Sequence, residues 1–205
     1  MGIYRDHVLP RIVDATCGLQ DIEPLRERVC AGLSGDVVEI GFGSGLNVPF
    51  YPAGVTSISA VEPAALAWKL ARTRVTASGV PIAQSGLDGQ RLPFEDNSFD
   101  AALSTFTLCT IPDVAAALRE VRRVLRPGSG FYFLEHGLAP DDDVRRWQRR
   151  LNPVQKAFCG GCHVNRRIDE LVRDAGFDVD EVERFYLDHA PKYSAALYLG
   201  RAITL

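Results

Sequence analysis

The residues with the clearest chemical potential are three glycines at alternate positions, Gly41, Gly43 and Gly45, which follow a short apolar run containing Glu39. Glycine has no Cβ and tolerates positive φ, so the chain can turn sharply there and bring its backbone against a ligand. The glycine pattern of nicotinamide-dependent enzymes requires a further glycine where this chain has Leu46. The spacing therefore indicates a ligand-binding turn of another type, preceded by an acidic residue on the strand.

A second acidic residue, Glu62, ends the next predicted strand after the glycines. In dinucleotide-binding folds, an acidic residue about 20 positions beyond the glycines accepts hydrogen bonds from ribose hydroxyls. A carboxylate suits this role because it only accepts hydrogen bonds and can engage two hydroxyls. We therefore predict that Glu62 binds a ribose.

One histidine stands where acid–base chemistry is expected. His136 ends a predicted strand, and open α/β sheets bind ligands outside the carboxyl ends of their strands. Histidine exchanges a proton near neutral pH, so His136 is the candidate general base. A histidine bonded structurally at a strand end explains the same position equally well.

The stretch Cys159–His163 matches the haem attachment motif C-x-x-C-H. Covalent haem attachment follows export, and the first residues show no apolar core of a signal peptide. A zinc site needs four ligands, and no second pair of cysteines or histidines stands nearby in sequence. We therefore predict no metal ion and interpret Cys159 and Cys162 as reduced thiols on a glycine turn beside a substrate pocket.

These residues are expected on an alternating framework of strands and helices. Apolar runs and alternation predict strands at 37–40, 56–62, 80–86, 101–108, 130–136, 178–187 and 194–203. Apolar residues at spacings of three and four predict a helix at 112–126. Helices are also predicted at 64–78, which lacks glycine and proline, and at 166–175, which Gly176 caps. This order predicts an α/β fold with a doubly wound, mostly parallel seven-stranded, Rossmann-like sheet that ends in an antiparallel C-terminal hairpin.

Two segments fall outside this alternation. We predict that residues 1–35, which precede the first strand, are largely helical, and residues 138–164 carry Trp147 and Phe158. Functional loops lie at the ends of such sheets, so we expect both segments to cover an apolar substrate site. With one framework and neither a linker nor a repeat, the 205 residues predict a single domain, 1–205.

The composition excludes several classes of partner. A net charge of −3 gives no general attraction to nucleic acid or to anionic membranes. No apolar run approaches the ~18 residues of a membrane span, so we expect no stable membrane anchor. Five cysteines, an odd number, favour reduced thiols and a cytoplasmic location over a disulfide framework. The composition leaves the oligomeric state open.

Ordered motifs across 37–136 resemble those of the class I S-adenosylmethionine-dependent methyltransferases of the type-11 subgroup. They are the glycine turn, Glu62, the stretch 88–100 and the stretch 120–128. The resemblance implies that S-adenosylmethionine is the cofactor and that Glu39 holds its amino group, Glu62 its ribose and Asp88 its adenine. The cofactor-binding residues implied in this way are Glu39, Gly41, Gly43, Gly45, Asn47, Glu62, Asp88, Gly89 and Thr105.

Further stretches, 45–52, 107–109, 133–136, 147–148 and 161–162, are similar to those of the alkyl thiol S-methyltransferases. This likeness implies methyl transfer to a small hydrophobic acceptor, with a thiol as the expected class and His136 assisting its deprotonation. A quinone or phenol methyltransferase is the alternative among enzymes. A non-catalytic regulator that binds the cofactor is the alternative of another class, and turnover with a panel of acceptors separates the three.

Overall fold

Seven strands form one sheet in the order β3-β2-β1-β4-β5-β7-β6. The computed structural model describes residues 4–205, so positions 1–3 of the predicted amino-terminal cover lie outside the described residues. The strands are β1 (Gly35–Ile40), β2 (Val55–Val61), β3 (Ile82–Gly86), β4 (Phe99–Thr105), β5 (Leu125–His136), β6 (Phe177–Tyr186) and β7 (Ala196–Thr204).

Helices connect these strands and cover both faces of the sheet. They are α1 (Leu9–Cys17), α2 (Glu23–Cys30), α3 (Ala65–Ala77), α4 (Val114–Val124), α5 (Asp142–Phe158), α6 (Ile168–Asp174) and α7 (Lys192–Ala195). Shorter helical turns of other types occupy Tyr4–Val8, Gln20–Ile22 and Val48–Phe50. Among residues 4–205, no helix combines the length and the apolar character that crossing a membrane requires.

Strand β1 lies at the centre of the parallel part of the sheet, between β2 and β4. Its side chains alternate between the two faces: Val37 packs in the apolar cluster that contains α2, and Val38 packs in the cluster that contains α4. Strand β7 runs antiparallel to both β5 and β6. The predicted fold class, including the antiparallel C-terminal hairpin, is therefore confirmed.

Two strand boundaries differ from the prediction by three residues or more. Strand β4 ends at Thr105 rather than at 108, because Phe106 adopts a left-handed backbone with a φ of 53° that turns the chain. Strand β5 begins at Leu125, directly after α4, rather than at 130. It does so because Leu125 already pairs with Phe99 of β4.

The segment 138–164 forms one 17-residue helix, α5, which docks through a polar side chain. The amide of Gln148 is fully buried, accepts a hydrogen bond from the backbone of Ala139 (2.9 Å) and donates to the carbonyls of Gly137 (3.0 Å) and Tyr193 (3.1 Å). This polar anchor explains how a helix with a largely charged sequence stays in place beside the sheet.

Candidate functional site

A cavity of about 470 Å³ opens beyond the carboxyl ends of β1, β2 and β4, where open parallel sheets bind ligands. Most of the residues predicted to bind a cofactor meet there. Those that line the cavity are Gly41, Gly43, Asn47, Glu62, Asp88, Gly89 and Thr105. The predicted residues Glu39, Gly45 and His136 do not line it, and each has another place in the structure.

The glycine turn shapes the floor of this cavity. Gly41 has a φ of 73°, and a Cβ there would lie 2.0 Å from the hydroxyl of Thr107, so no larger residue fits. Gly43 has a φ of 57°, and its Cβ would have no closer neighbour than the carbonyl of Gly41 at 3.8 Å. Gly45 instead packs against Phe42. Gly41 thus permits the turn, whereas Gly43 leaves the backbone open beside the cavity.

Glu62 is fixed at the edge of the cavity by two backbone donors. The amide of Gly43 donates to Oε2 (2.8 Å) and the amide of Ala64 donates to Oε1 (2.7 Å). Burial raises the pKa of the Glu62 carboxyl, and these two hydrogen bonds oppose that shift. Each oxygen keeps further lone pairs, so the carboxylate can accept hydrogen bonds from two adjacent hydroxyls of a ligand.

Behind the cavity wall, Glu39 organises a buried polar network. Its carboxylate is fully buried on the α2 face of β1 and accepts hydrogen bonds from Asn47 Nδ2 (2.8 Å) and from the hydroxyl of Tyr51. Asn47 also donates to Thr105 Oγ1 (2.9 Å). Asn47 and Thr105 line the cavity and Glu39 does not, so this network connects Glu39 to the cavity through them.

Arg26 on α2 completes this network, and the sequence did not predict this role. Its buried guanidinium donates to Asn47 Oδ1 (2.6 Å), to Thr105 Oγ1 (3.2 Å) and to the carbonyl of Cys17 (2.9 Å). The side chain also lies 5.5 Å from the ring centroid of Phe106. Its positive charge compensates for the nearby buried carboxylate, but nothing around it in the sequence distinguishes it from an exposed arginine.

Burial gives Glu39 a pH-dependent effect on stability, because desolvation raises the pKa of its carboxyl from 4.5 to about 7. Between these values the folded protein holds the proton more tightly than the unfolded chain does, so the contribution of Glu39 to stability falls as the pH rises. Glu39→Gln removes this titration. The quantity to measure, by urea unfolding, is the free energy of unfolding of the variant minus that of wild type. We expect this difference to be higher at pH 8 than at pH 5 by on the order of 2–3 kcal/mol.

The matched control for Glu39→Gln is Glu95→Gln, at an exposed glutamate outside the cavity. Because Glu95 is exposed, this variant should have nearly the same free energy of unfolding as wild type. A Glu39→Gln variant that is equally destabilised at pH 5 and pH 8 would contradict the raised pKa of the buried carboxyl.

A second buried carboxylate, Glu135, holds the turn that follows β4. It accepts hydrogen bonds from the backbone amides of Thr107 (3.0 Å), Leu108 (3.0 Å) and Cys109 (3.4 Å). Burial raises its pKa, and these donors oppose the shift. Because it lies inside an apolar strand, no sequence signal assigned it this role, yet it fixes one wall of the cavity.

A cluster of two thiols and an imidazole lies behind that wall. The sulfurs of Cys109 and Cys162 and a ring nitrogen of His136 lie within 4.8 Å of one another. The two cysteines are buried and His136 is half-buried. The neighbouring thiol of Cys109 and imidazole of His136 lower the pKa of the Cys162 thiol. The structure thus groups Cys162 with Cys109, whereas the sequence motif groups it with Cys159.

His136 is separated from the cavity by one aromatic ring. The ring centroid of Phe106, which lines the cavity, lies 4.9 Å from that of His136. Thr110 and Gly160 also line the cavity, and they belong to the same turns as Cys109 and Cys162. The cluster is therefore a direct neighbour of the cavity, although its members do not form the wall.

Both segments outside the strand–helix alternation reach the cavity. From α1, the cavity is lined by Leu9, Pro10, Val13 and Cys17. From the end of α5 it is lined by Cys159 and Gly160. The two aromatic residues expected over the site, Trp147 and Phe158, are exposed and do not line it.

The residues of the cavity fit the cofactor that the sequence motifs imply. Glu62 presents a fixed carboxylate for ribose hydroxyls, and the absence of a side chain at Gly43 leaves space for a ligand beside the backbone. Thr105 and Asn47 add polar groups that the buried network holds in place. A ligand with a polar amino acid end, a ribose and an aromatic base meets complementary groups along this cavity.

Comparison with known sequences agrees with this site. Residues 38–133 match the type-11 family described as "Methyltransferase domain". Thiol S-methyltransferase TMT1B of Rattus norvegicus is 32% identical over 160 residues, which cover 74% of this chain and 64% of that protein. Fatty-acid O-methyltransferase of Mycolicibacterium smegmatis is 35% identical over 152 residues, covering 72% and 52%. The chain spans less than two thirds of the length of either relative.

Comparison with solved structures supports the fold. A SAM-dependent methyltransferase from Thermotoga maritima, described as a possible histamine N-methyltransferase, gives a TM-score of 0.68 at 22% identity. The alignment covers 98% of this chain and 100% of that chain. At this identity the likeness establishes a shared architecture. From the family match and the fold together, the chain belongs to the class I S-adenosylmethionine-dependent methyltransferases, with a domain of the type-11 family.

Proposed function

We propose that this protein transfers the methyl group of S-adenosylmethionine to a small hydrophobic thiol. One observation carries the proposal. The cavity whose lining residues suit the cofactor also has an apolar wall from α1, and it adjoins the cluster of His136 and two thiols. The similarity to thiol S-methyltransferase TMT1B supports the same acceptor class. A single domain, 1–205, in which α1 and the end of α5 cover the acceptor site, completes the proposal.

In this proposal the carboxylate of Glu62 binds the cofactor's ribose, and Asp88 with Gly89 faces its adenine. Asn47 and Thr105 contact the methionine portion and are held in place by Glu39 and Arg26. S-adenosylmethionine, when bound, supplies the methyl group to be transferred. The protein contributes orientation of the two reactants, which removes much of the entropic barrier to an in-line displacement.

The acceptor would bind against the apolar side chains of Leu9, Val13 and Ile111, which line the cavity and exclude water. A thiol with a pKa near 8.5 is only a few per cent ionised at pH 7, and the thiolate is the nucleophile. In this proposal His136 promotes ionisation of the acceptor.

The test is turnover with methyl-labelled S-adenosylmethionine and a mixed panel of alkyl thiols, phenols, quinones and fatty acids, with products identified by mass. We expect labelled thioethers as the main products. Methylation of a phenol, a quinone or a fatty acid without any thioether would replace the thiol with that acceptor. Cofactor binding without any labelled product would identify a binding protein.

The ribose contact gives a separate prediction. Glu62→Ala removes both carboxylate oxygens that would accept hydrogen bonds from the ribose. We expect it to weaken binding of S-adenosylmethionine by about 1–3 kcal/mol, as measured by calorimetry. Glu95→Ala, at an exposed glutamate outside the cavity, should leave the affinity unchanged. Equal affinities for Glu62→Ala and wild type, with both proteins folded by circular dichroism, would remove Glu62 from the cofactor site.

A further inference from the structure

Three segments that are distant in sequence bring together ligand types that soft metal ions prefer. Cys109 lies in the turn after β4, His136 ends β5 and Cys162 follows α5. Their donor atoms lie within 4.8 Å of one another, close enough for each to contact one central ion. Two thiolates and one imidazole form a common donor set for zinc.

The segments that carry these donors are held firmly by hydrogen bonds. Glu135 fixes the backbone around Cys109, and the amide of His163 donates to the carbonyl of Cys109 (2.7 Å). The guanidinium of Arg166 donates to the carbonyl of Leu108. The donors therefore stand on a rigid frame, which lowers the cost of arranging them around an ion.

One buried polar atom of the cluster lacks a hydrogen-bond partner. Nδ1 of His136 is buried and has no hydrogen-bond partner among the described residues. A buried, unpartnered nitrogen costs free energy unless something else engages it. No disulfide joins Cys109 and Cys162, and both sulfurs are free to act as ligands. An ion at the centre of the cluster would give the imidazole a partner beside two thiolates.

We propose that Cys109, His136 and Cys162 form a zinc site whose fourth position binds the acceptor as a thiolate. Structural zinc sites are closed by four protein ligands, whereas catalytic ones have three and keep one position open. The cluster offers three donors among the described residues and lies behind the cavity wall, with the ring of Phe106 between His136 and the cavity, so binding of the acceptor to the metal requires this ring to move aside. The identity of the fourth ligand rests on the proposed thiol methyltransferase function, but the metal site does not.

The chemistry balances without any oxidant or reductant. The thiol binds the zinc in place of water and releases its proton to solvent. A lone pair of its sulfur then forms the bond to the methyl carbon, while the bond between that carbon and the sulfonium sulfur breaks and leaves its electron pair on the cofactor. The products are two neutral thioethers, and water returns to the metal. As a ligand of the metal, His136 thus raises the fraction of the acceptor that is present as thiolate.

The first test measures the metal directly. Wild-type protein is stripped with a chelator under reducing conditions and titrated with Co²⁺, which replaces zinc and absorbs light. We expect one equivalent to bind, with intense sulfur-to-cobalt charge-transfer absorption that Zn²⁺ abolishes. Cys109→Ser and Cys162→Ser should each lose that absorption, whereas Cys159→Ser, three residues from Cys162 but outside the cluster, should keep it.

The second test examines the open position. Adding a short alkanethiol to the cobalt protein should strengthen the charge-transfer absorption, because a third sulfur joins the metal, and the alcohol of the same chain length should not. At pH 7, chelation should slow thiol methylation by roughly 30-fold, because only about one thirtieth of a free thiol with a pKa of 8.5 is ionised at this pH. One equivalent of Zn²⁺ should restore the rate, and binding of S-adenosylmethionine should be unaffected throughout.

The outcomes distinguish this inference from the proposed function. Absence of cobalt binding by reduced wild-type protein, or binding that survives in folded Cys109→Ser and Cys162→Ser variants, overturns the metal site. Thiol methylation that is insensitive to chelation overturns the inference and leaves the function intact. Conversely, a cobalt site that responds to alkanethiol in a protein that methylates only other acceptors supports the site and overturns the proposed function. If the serine variants do not fold, the wild-type titration decides.

Discussion

Gly43→Val is expected to abolish detectable binding of S-adenosylmethionine, the largest single effect that the structure predicts. The backbone at Gly43 has a φ of 57° and borders the cavity with no side chain in the way. Two added methyl groups would occupy the space where the ligand meets the backbone, and a β-branched residue is strained in this conformation. Calorimetry on the folded variant measures the affinity.

Gly128→Val is the matched control for this change. Gly128 also has a positive φ, 79°, and a Cβ there meets no atom within 4 Å, but it does not line the cavity. Both variants place a side chain at positive φ, which costs of order 1–2 kcal/mol, so both should lose stability. Only Gly43→Val should lose binding. Retention of the wild-type affinity in Gly43→Val would place the cofactor elsewhere.

The second large effect concerns His136→Ala. At pH 7 we expect the rate of methylation of an alkyl thiol to fall roughly 30- to 100-fold, because the acceptor no longer ionises with help from the protein. Raising the pH to 9 should recover most of the loss, since the free thiolate then predominates in solution. The measurement is a pH–rate profile of both proteins with one thiol.

His189→Ala serves as the control, because His189 is an exposed histidine in the turn between β6 and α7 and does not line the cavity. Its profile should follow that of wild type. Identical profiles for His136→Ala and wild type would remove His136 from the mechanism. A loss of rate that persists unchanged at pH 9 would show that His136 supports the structure of the site rather than ionisation of the acceptor.

The parts of the fold that the sequence predicted correctly depend on local patterns. The glycine turn and Glu62 each lie at the end of one strand, so the order of strands and helices is enough to bring them to the same edge of the sheet. The central strands were recognisable because burial on both faces gives continuous apolar runs. The antiparallel hairpin followed from two adjacent strand patterns with only a short connection between them, which in the structure contains the four-residue helix α7.

The missed features depend on contacts between distant residues. Arg26 and Glu39 belong to one buried network, but neither local sequence shows that the other is near. Cys162 was assigned to the nearby Cys159, because spacing along the chain is all that a sequence motif records. Its actual neighbour, Cys109, is brought to it by the turn after β4 and the end of α5. The same limit applied to β4, which ends where the bulky Phe106 adopts an unusual backbone conformation.

The position of β7 also determines when the sheet can be completed during protein synthesis. The ribosome makes β6 before β7, yet among the described strands β6 pairs only with β7, and β7 is also the strand that covers the free edge of β5. A nascent chain that has not yet released Ala196–Thr204 therefore leaves β5 with an open edge and β6 with no partner. Unpaired edges of this kind template aggregation. Demand for chaperones during synthesis should accordingly stay high until β7 emerges.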